Sequence, residues 1–525
     1  MKIYTLEQIR DIESHAKQSL PSPSLMERAG FAAARKFVNI FFDSVSSNLS
    51  VVIFAGPGDN GGDAFEMAYH LCQLNQHHRA KGNEKQFEIS IVGNIDATSY
   101  SSDALASLAR AQTCKITWLS IEDDLNHLLA HCDAIVDGIF GIGISRPITG
   151  VWAEAISAMN HCRSTRHIPV FALDVPSGLQ ADTGHILDGG NNKHYPVAAR
   201  ASHTISFIGD KLGLHTGFGR DYAGHVLIDS LGIDATDFPK ANIAHNEVTQ
   251  VLKHLQQRDH ASHKGSYGDV AIIGGSEGMR GAAILAARAA LYSGAGKVHI
   301  GFIDIEAKTD MSVDLLHPEI MCRAAQDLEF NTACIAIGPG LGQTLQAKGH
   351  VLQALQQAQQ LVIDADALNL IASDQALQVE VSKRIQRRQQ TIITPHPLEA
   401  ARLLKSTAAE VQADRLQAAK QLAEKLKVIV LLKGSGSLIT DGNFTYVNTT
   451  GNPGLASGGT GDVLSGVCAA LCAQGLQAFD AARLASFVHG AAADELVQQG
   501  IGPIGMCASE LPAAIREQLN SKSDE

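Results

Sequence analysis

The sequence has no surplus of positive charge, no clustered cysteines and no long apolar run. Its 42 Lys and Arg stand against 54 Asp and Glu, a formal net charge of −12. A nucleic-acid partner would normally require a basic face, so none is expected. The nine cysteines, Cys72, Cys114, Cys132, Cys162, Cys322, Cys334, Cys468, Cys472 and Cys507, include no C-x-x-C pair and no repeated spacing. Neither a disulfide framework nor a metal knot is therefore expected, and Cys468 with Cys472, four apart, reads as core packing in a helix. Free thiols suit a reducing compartment. No stretch reaches the roughly 18 apolar residues that a membrane span needs, and the opening Met1–Arg10 lacks the apolar run of a signal peptide. The expectation is a soluble, cytoplasmic protein acting on small molecules, with no nucleic-acid and no membrane partner and with a homo-oligomer left open.

What is present is alternation. A chain of 525 residues has room for about two to four domains. In the first half, β-branched apolar runs predict strands at Ser50–Ala55, Phe87–Val92, Ile116–Leu119, Ala134–Val136, Val170–Leu173, Thr204–Phe207 and Val226–Ile228. Helical patterns such as Asp63–Asn75 and Ser102–Ala111 lie between them, as in a doubly wound, Rossmann-like α/β sheet. Two helices, Thr5–His15 and Ser24–Phe42, should precede the first strand, with Thr5 and Gln8 as a cap for the first. The pattern lapses in the polar stretch Asp234–Asn246, which contains Pro239, and this divides the chain into domains of residues 1–238 and 247–519. In the second half strands are predicted at Asp269–Ile273, Lys297–Phe302, Cys334–Ile337, Leu361–Ile363, Thr391–Thr394, Val428–Leu432, Ser437–Thr440 and Phe444–Val447, closed by helices near Gly461–Gln474 and Phe479–Gln499. The tail after Leu519 should be frayed. There is no low-complexity tract and no short internal repeat.

Chemistry concentrates where strands end. Asn452-Pro453-Gly454-Leu455-Ala456-Ser457-Gly458-Gly459-Thr460-Gly461-Asp462 runs from a strand into an apolar helix. Its glycines let the backbone approach a polyanion, and the helix start aims free N–H groups at it. Asp462, in the first turn, is either a cap or a base beside the phosphate. Four more turns follow strands: Gly338–Gly342, Asp364–Asn369, Thr394–Glu399 and Lys433–Ser437. Open α/β sheets place ligands at such strand ends. In the first half, Gly56-Pro57-Gly58-Asp59-Asn60-Gly61-Gly62-Asp63 similarly precedes a helix and can cradle a phosphate. Asn60, Asp137 and Ser177 offer hard oxygens suited to a weakly charged cation rather than zinc. Asp174 ends a buried strand, so its charge needs a partner or a task. The remaining histidines, including His77, His78, His260 and His263, read as solvated surface.

These motifs carry a resemblance. The set G-P-G-L-G, D-A-D-A-L-N, T-P-H-P-x-E, K-G-S-G-S and N-P-G-x-A-S-G-G-T-G-D resembles the carbohydrate-kinase-like, ribokinase-like domain of the NAD(P)H-hydrate dehydratases, over about Glu247–Leu519. The resemblance implies dehydration of hydrated NADH or NADPH at the expense of ADP or ATP, with Mg2+. The 6-hydroxyl would be phosphorylated and would leave as phosphate. Asp462 would be the base. Gly461 with Lys433, Gly434, Ser435, Gly436 and Ser437 would hold the nucleotide, and Ala282, Gly340, His396 and Asp462 would contact the hydrate. Leu398 and Leu455 depart from the usual glycine and methionine. A vitamin-precursor kinase of the same ribokinase-like group is the competing reading.

The first half, about Met1–Ile233, resembles the NAD(P)H-hydrate epimerases through L-M-E-R-A-G at Leu25–Gly30, the glycine turn, and D-V-P-S-G at Asp174–Gly178. The resemblance implies K+ held by Asn60, Asp137 and Ser177. Substrate contacts would come from Asp59, Asn60, Gly61, Gly62, Asp63, Gly141, Ile142, Gly143, Ile144, Ser145, Arg146, Pro147 and Asp174. Asp174 would be the acid/base that lets C6 lose and regain its configuration. Asp59 replaces the usual asparagine and Ala64 the usual glycine. A non-catalytic binding module is the alternative for this half.

Overall fold

The computed structural model describes residues 1–20, 22–42, 48–80, 85–93, 100–187, 197–253, 255, 258–303 and 313–521. It divides into two compact units, Lys2–Ala241 and Asn242–Glu525. No helix among the described residues is long and apolar enough to cross a membrane.

The first unit is built on seven parallel strands: β1 (Leu49–Ala55), β2 (Phe87–Gly93), β3 (Thr117–Leu119), β4 (Ala134–Gly138), β5 (Val170–Leu173), β6 (His203–Phe207) and β7 (His225–Asp229), in the order β3-β2-β1-β4-β5-β6-β7. Side chains alternate across a strand, so β1 feeds two cores: Val51, Ile53 and Ala55 on one face, Val52 and Phe54 on the other. Chain order reverses between β1 and β4, and that switch point opens a crevice at the carboxyl ends of the strands.

Helix α1 (Leu6–Ser19) starts from a Thr5/Gln8 capping box as the sequence predicts, and α2 (Leu25–Phe37) from one made by Ser24 and Glu27. The continuous helix expected over Ser24–Phe42 instead widens into a π-helical turn at Val38–Phe42, which stacks Phe42 on Phe87 with ring centroids 4.0 Å apart. Helix α3 (Asp59–Ala80) begins four residues before the expected Asp63, while α4 (Ser102–Gln112) lies where predicted. Glycine is a weak helix former, but here it is required by close contact: a Cβ on Gly61 would lie 2.0 Å from the Gly56 carbonyl oxygen. His77, His260 and His263 are exposed; the side chain of His78 lies outside the described residues.

The second unit contains β8 (Ile243–His245), β9 (Asp269–Gly274), β10 (Lys297–Phe302), β11 (Met321–Ala324), β12 (Cys334–Ile337), β13 (Gln360–Ile363), β14 (Gln390–Ile393), β15 (Ile429–Leu432), β16 (Leu438–Thr440) and β17 (Thr445–Val447), ordered β8-β17-β16-β15-β14-β13-β12-β9-β10-β11. The strands are parallel except β16, which runs antiparallel to both its neighbours. Strands β8 and β11 escaped the sequence reading. One falls in the polar stretch taken as a linker, and the other, Met-Cys-Arg-Ala, is a half-polar edge strand. The helices that bear on the site are α5 (Arg280–Tyr292), α6 (Ala365–Ser373), α7 (Pro397–Leu404), α8 (Thr460–Ala473) and α9 (Ala478–Gln498).

Helix α8 is buried almost throughout and packs directly on α5, whose Ala283, Ala286, Ala287, Ala289 and Ala290 are fully buried. Small residues allow this approach: a Cβ on Gly466 would lie 2.0 Å from the Ala286 carbonyl oxygen. Because α8 carries Asp462 on its first turn, the α5–α8 contact sets the height of the site. Gly466→Ala should therefore lower the melting midpoint of the second unit by the equivalent of about 1–3 kcal/mol, measured by thermal or denaturant unfolding. An unchanged midpoint would contradict this packing.

Candidate active sites

In the first unit the crevice is a cavity of about 970 Å³ lined by the start of α3, the segment after β4, and Asp174. Asn60 sits in the first turn of α3, buried, and neither its Oδ1 nor its Nδ2 has a hydrogen-bond partner. Asp137 ends β4 and is fully buried. It accepts from the Ser177 backbone N–H (2.8 Å), the Ser177 hydroxyl (2.6 Å) and the Ile139 N–H (3.3 Å). Burial pushes the Asp137 carboxyl up, and those hydrogen bonds oppose it. The Ser177 hydroxyl also accepts from the Phe140 N–H at 2.8 Å, and a Cβ on the adjoining Gly141 would lie 3.5 Å from Asn60 Oδ1. Asn60, Asp137 and Ser177 thus meet at one corner through Phe140–Gly141. An orphaned buried amide and a buried carboxylate with no cationic partner among the described residues form a hard-oxygen set. That set fits a weakly charged cation such as K+.

Asp174 follows β5 in a left-handed conformation (φ 64°), a strained state for a non-glycine residue. Its N–H donates to the Ile205 carbonyl (2.7 Å), and its Oδ1 accepts from Lys211 Nζ (2.7 Å). Asp63, half-buried on the cavity wall, is pushed up by burial and then by the charge of Asp174. Gly141, Ile142, Gly143, Ile144, Ser145, Arg146 and Pro147 all line the cavity, as do Asp59 and Asn60. Asp59 is exposed and accepts from the Ser101 hydroxyl at 2.6 Å, so its extra charge faces solvent at the rim. Ala64 is buried with its methyl close to Gly138. Gly61 and Gly62 are not brought to the cavity: they are buried, and a Cβ on Gly62 would lie 2.5 Å from Met26 Sδ. Both are closely packed at the start of α3.

In the second unit the predicted turns converge at the ends of β12, β13, β14 and β15. Asp364, 1% exposed, is the centre. Its Oδ1 accepts from Lys433 Nζ (2.7 Å) and its Oδ2 from the Ser465 hydroxyl (2.5 Å). Burial, then the charge of Asp364, pushes Asp462 up to about 6, and Lys433 pulls the other way. Gly461 lies over the pair: a Cβ there would be 3.2 Å from Lys433 Nζ and 3.9 Å from Asp364 Oδ2. The loop Lys433–Ser437 is tied underneath by Arg415, which donates to the carbonyls of Leu432 (3.3 Å) and Lys433 (3.2 Å). The Lys433 ammonium is committed to Asp364, and within the loop the Ser437 hydroxyl donates to the Gly434 carbonyl at 3.1 Å. Ala282 and Gly340 adjoin, a Cβ on Gly340 lying 3.2 Å from that of Ala282.

His396 caps α7: its Nδ1 accepts from the N–H groups of Leu398 (3.1 Å) and Glu399 (3.4 Å), and its own N–H donates to Glu399 Oε2 (2.8 Å). An accepting Nδ1 requires the neutral Nε2–H tautomer, consistent with a ring pushed down by burial and by Lys433. Buried Glu399 is pushed up to about 7 by burial, with Lys433 opposing. Two groups here, Lys211 and Ser465, have no counterpart among the residues the sequence nominated, and Asp364 was named only as the start of a strand-end turn, with no role of its own. Asp364 was open to the reasoning applied to Asp174, a carboxylate at the end of a buried strand. Lys211 and Ser465 carry no such signal.

Fold and sites together define an enzyme of two α/β units. A family model described as NAD(P)H-hydrate dehydratase matches residues 270–516, and one described as YjeF-related protein N-terminus matches residues 22–213. The bifunctional NAD(P)H-hydrate repair enzyme of Coxiella burnetii is 34% identical over 99% of this chain and 99% of its own. That of Escherichia coli is 33% identical over 94% of this chain and 89% of its own. A solved ADP/ATP-dependent NAD(P)H-hydrate dehydratase from Bacillus subtilis is 31% identical, covering 53% of this chain and 98% of that one, with a TM-score of 0.44. The chain belongs to the bifunctional NAD(P)H-hydrate repair enzymes.

A raised carboxyl costs stability when ionised. Below the ordinary 3.8 of an aspartate both folded and unfolded forms of Asp462 are protonated; as pH rises toward 6 the unfolded form ionises first, and the folded state loses stability. Above 6 the loss is complete, at most roughly 3 kcal/mol at 1.36 kcal/mol per unit. Asp462→Asn should therefore melt higher than wild type at pH 7.5, with the gain vanishing near pH 4. A gain independent of pH would contradict the assignment.

Proposed function

We propose that residues 1–238 interconvert the R and S forms of hydrated NADH or NADPH, and that residues 247–519 dehydrate the S form with ADP or ATP. The observation that carries this reading is Asp462, a half-buried carboxyl pushed up to about 6, on a glycine-opened helix start beside the Lys433–Asp364 pair. Phosphoryl transfer needs a positioned acceptor, a nearby base and a cradle for charge; Asp462 supports this reading as the base and the glycine-opened helix start as the cradle, with the hydrate bringing the acceptor hydroxyl.

In the second unit Asp462 takes the proton of the C6 hydroxyl, and the oxygen bonds to the terminal phosphorus as AMP or ADP leaves. Phosphate then departs from C6 with loss of a C5 proton, which restores the ring double bond. The N–H groups at the start of α8 and the loop Lys433–Ser437 hold the nucleotide, and Ala282, Gly340 and His396 border the hydrate. Magnesium, bound with the nucleotide phosphates, would supply further charge neutralisation, and Glu399 is the buried carboxyl that such an ion would ionise. In the first unit Asp174 is the acid/base, and K+ at Asn60, Asp137 and Ser177 would fix the segment Gly141–Pro147 against the substrate. The proposed place of action is the cytoplasm, consistent with nine free cysteines.

The test is recovery of reduced-nicotinamide absorbance from a mixture of both hydrates, with ADP or ATP, magnesium and potassium. Wild type should consume both epimers, and Asp462→Asn neither. Asp174→Asn, or omission of potassium, should leave the R form stranded, with epimerisation slowed about 10²–10⁴-fold for the substitution. No recovery with either nucleotide would overturn the dehydratase reading.

A further inference from the structure

Five carboxylates line the cavity of the first unit, Glu13, Asp59, Asp63, Asp103 and Asp174, and two of them, Asp63 from α3 and Asp174 after β5, are treated unequally. Lys211 is 1% exposed. Its ammonium donates to Asp174 Oδ1 (2.7 Å), to the Ser206 hydroxyl oxygen (2.8 Å) and to the carbonyls of Phe207 (3.1 Å) and Gly209 (3.3 Å). An ammonium has three protons, so four acceptors saturate it and hold it in place. Asp63 has no such partner: among the described residues no ion pair reaches it. The charges that bear on it are acidic, those of Asp174, Asp59, Glu13 and Glu66. A buried ammonium is costly to desolvate, and tying down a loop could be done by neutral donors. What a cation adds is a charge-assisted hydrogen bond, shorter and stronger than a neutral donor gives, that holds the carboxylate it touches in one orientation.

We infer that Lys211 is a positioning residue of the first site: its buried ammonium holds Asp174 on the cavity wall as the proton acceptor, which leaves Asp63, reached by no ion pair among the described residues, as the proton donor. The inference rests on reading this unit as the epimerase. Asp63 gives its proton to the C6 hydroxyl. The C6–O bond breaks with its electron pair, water leaves, and the lone pair of N1 forms a C6=N1 bond. Water adds to the opposite face of C6, the C6=N1 pair returns to N1, and Asp174 accepts the released proton. Solvent then carries that proton from Asp174 back to Asp63, which returns both carboxyl groups to their starting states.

The experiment uses the full chain, the R hydrate of NADH, potassium and no nucleotide, with R and S forms separated chromatographically. Lys211→Met should lower kcat for interconversion about 100-fold with little change in KM, and Asp63→Asn should do likewise. The double substitution Lys211→Met/Asp174→Asn should be no slower than Asp174→Asn alone, because Lys211 acts only through Asp174. Lys211→Arg, which keeps a cation, should recover at least a tenth of wild-type kcat. Dehydration of the S hydrate by the second unit serves as the control for an intact chain. Wild-type kcat in Lys211→Met overturns the inference. So does a double substitution slower than Asp174→Asn by the full factor of Lys211→Met, or an arginine variant as slow as the methionine one. A wild-type chain that does not interconvert the hydrates overturns the epimerase reading itself, an outcome distinct from these.

Discussion

A carboxylate at the carboxyl end of a buried parallel strand must find a cation or keep a proton, and both halves of this chain are organised by that constraint. After β5 it is Asp174, held 2.7 Å from Lys211; after β13 it is Asp364, held 2.7 Å from Lys433. In each case the pair occupies one carboxylate and leaves a second nearby that burial and its neighbour's charge push up, Asp63 in one unit and Asp462 in the other. Two carboxyl groups in different protonation states are what acid–base chemistry near neutral pH requires.

The scaffold delivers these groups by ordinary packing. Parallel strands covered on both faces converge their ends on one edge of the sheet, and the reversal in strand order opens room there. Glycines let α3 and α8 come close enough for their first turns to reach that edge, Gly61 against Gly56 and Gly466 against Ala286. The strain at Asp174 and the saturated hydrogen bonding of Lys211 show how firmly the first site is pre-set. The two activities make one sequence: an epimerising step is needed wherever the dehydrating site accepts a single hand of its substrate.

Much of this was readable before any coordinates. The β-branched runs marked nearly every central strand, and the glycine turns marked the strand ends that carry ligands. Asp462 and Asp174 stood out because a charge at such a place needs a reason. The misses share a cause. Lys211 is 37 residues from Asp174, and Ser465 is 101 from Asp364; such pairs exist only once strand order is known, and nothing local encodes it. The early start of α3 and the close packing of Gly61 and Gly62 were hidden because glycine at a turn and glycine at a close contact look alike in sequence. Strands β8 and β11 were too short or too polar to show a period.

The central claim is that burial, then the charge of Asp364 against the opposing charge of Lys433, raises Asp462. The most direct measurement is the pH dependence of S-hydrate dehydration by wild type and by Asp364→Asn. In wild type the acidic limb should fall near 6, where burial and the charge of Asp364 hold Asp462. Removing that charge, and freeing Lys433 to face Asp462, should move the limb to lower pH. A limb that stays in place or moves up would contradict the account.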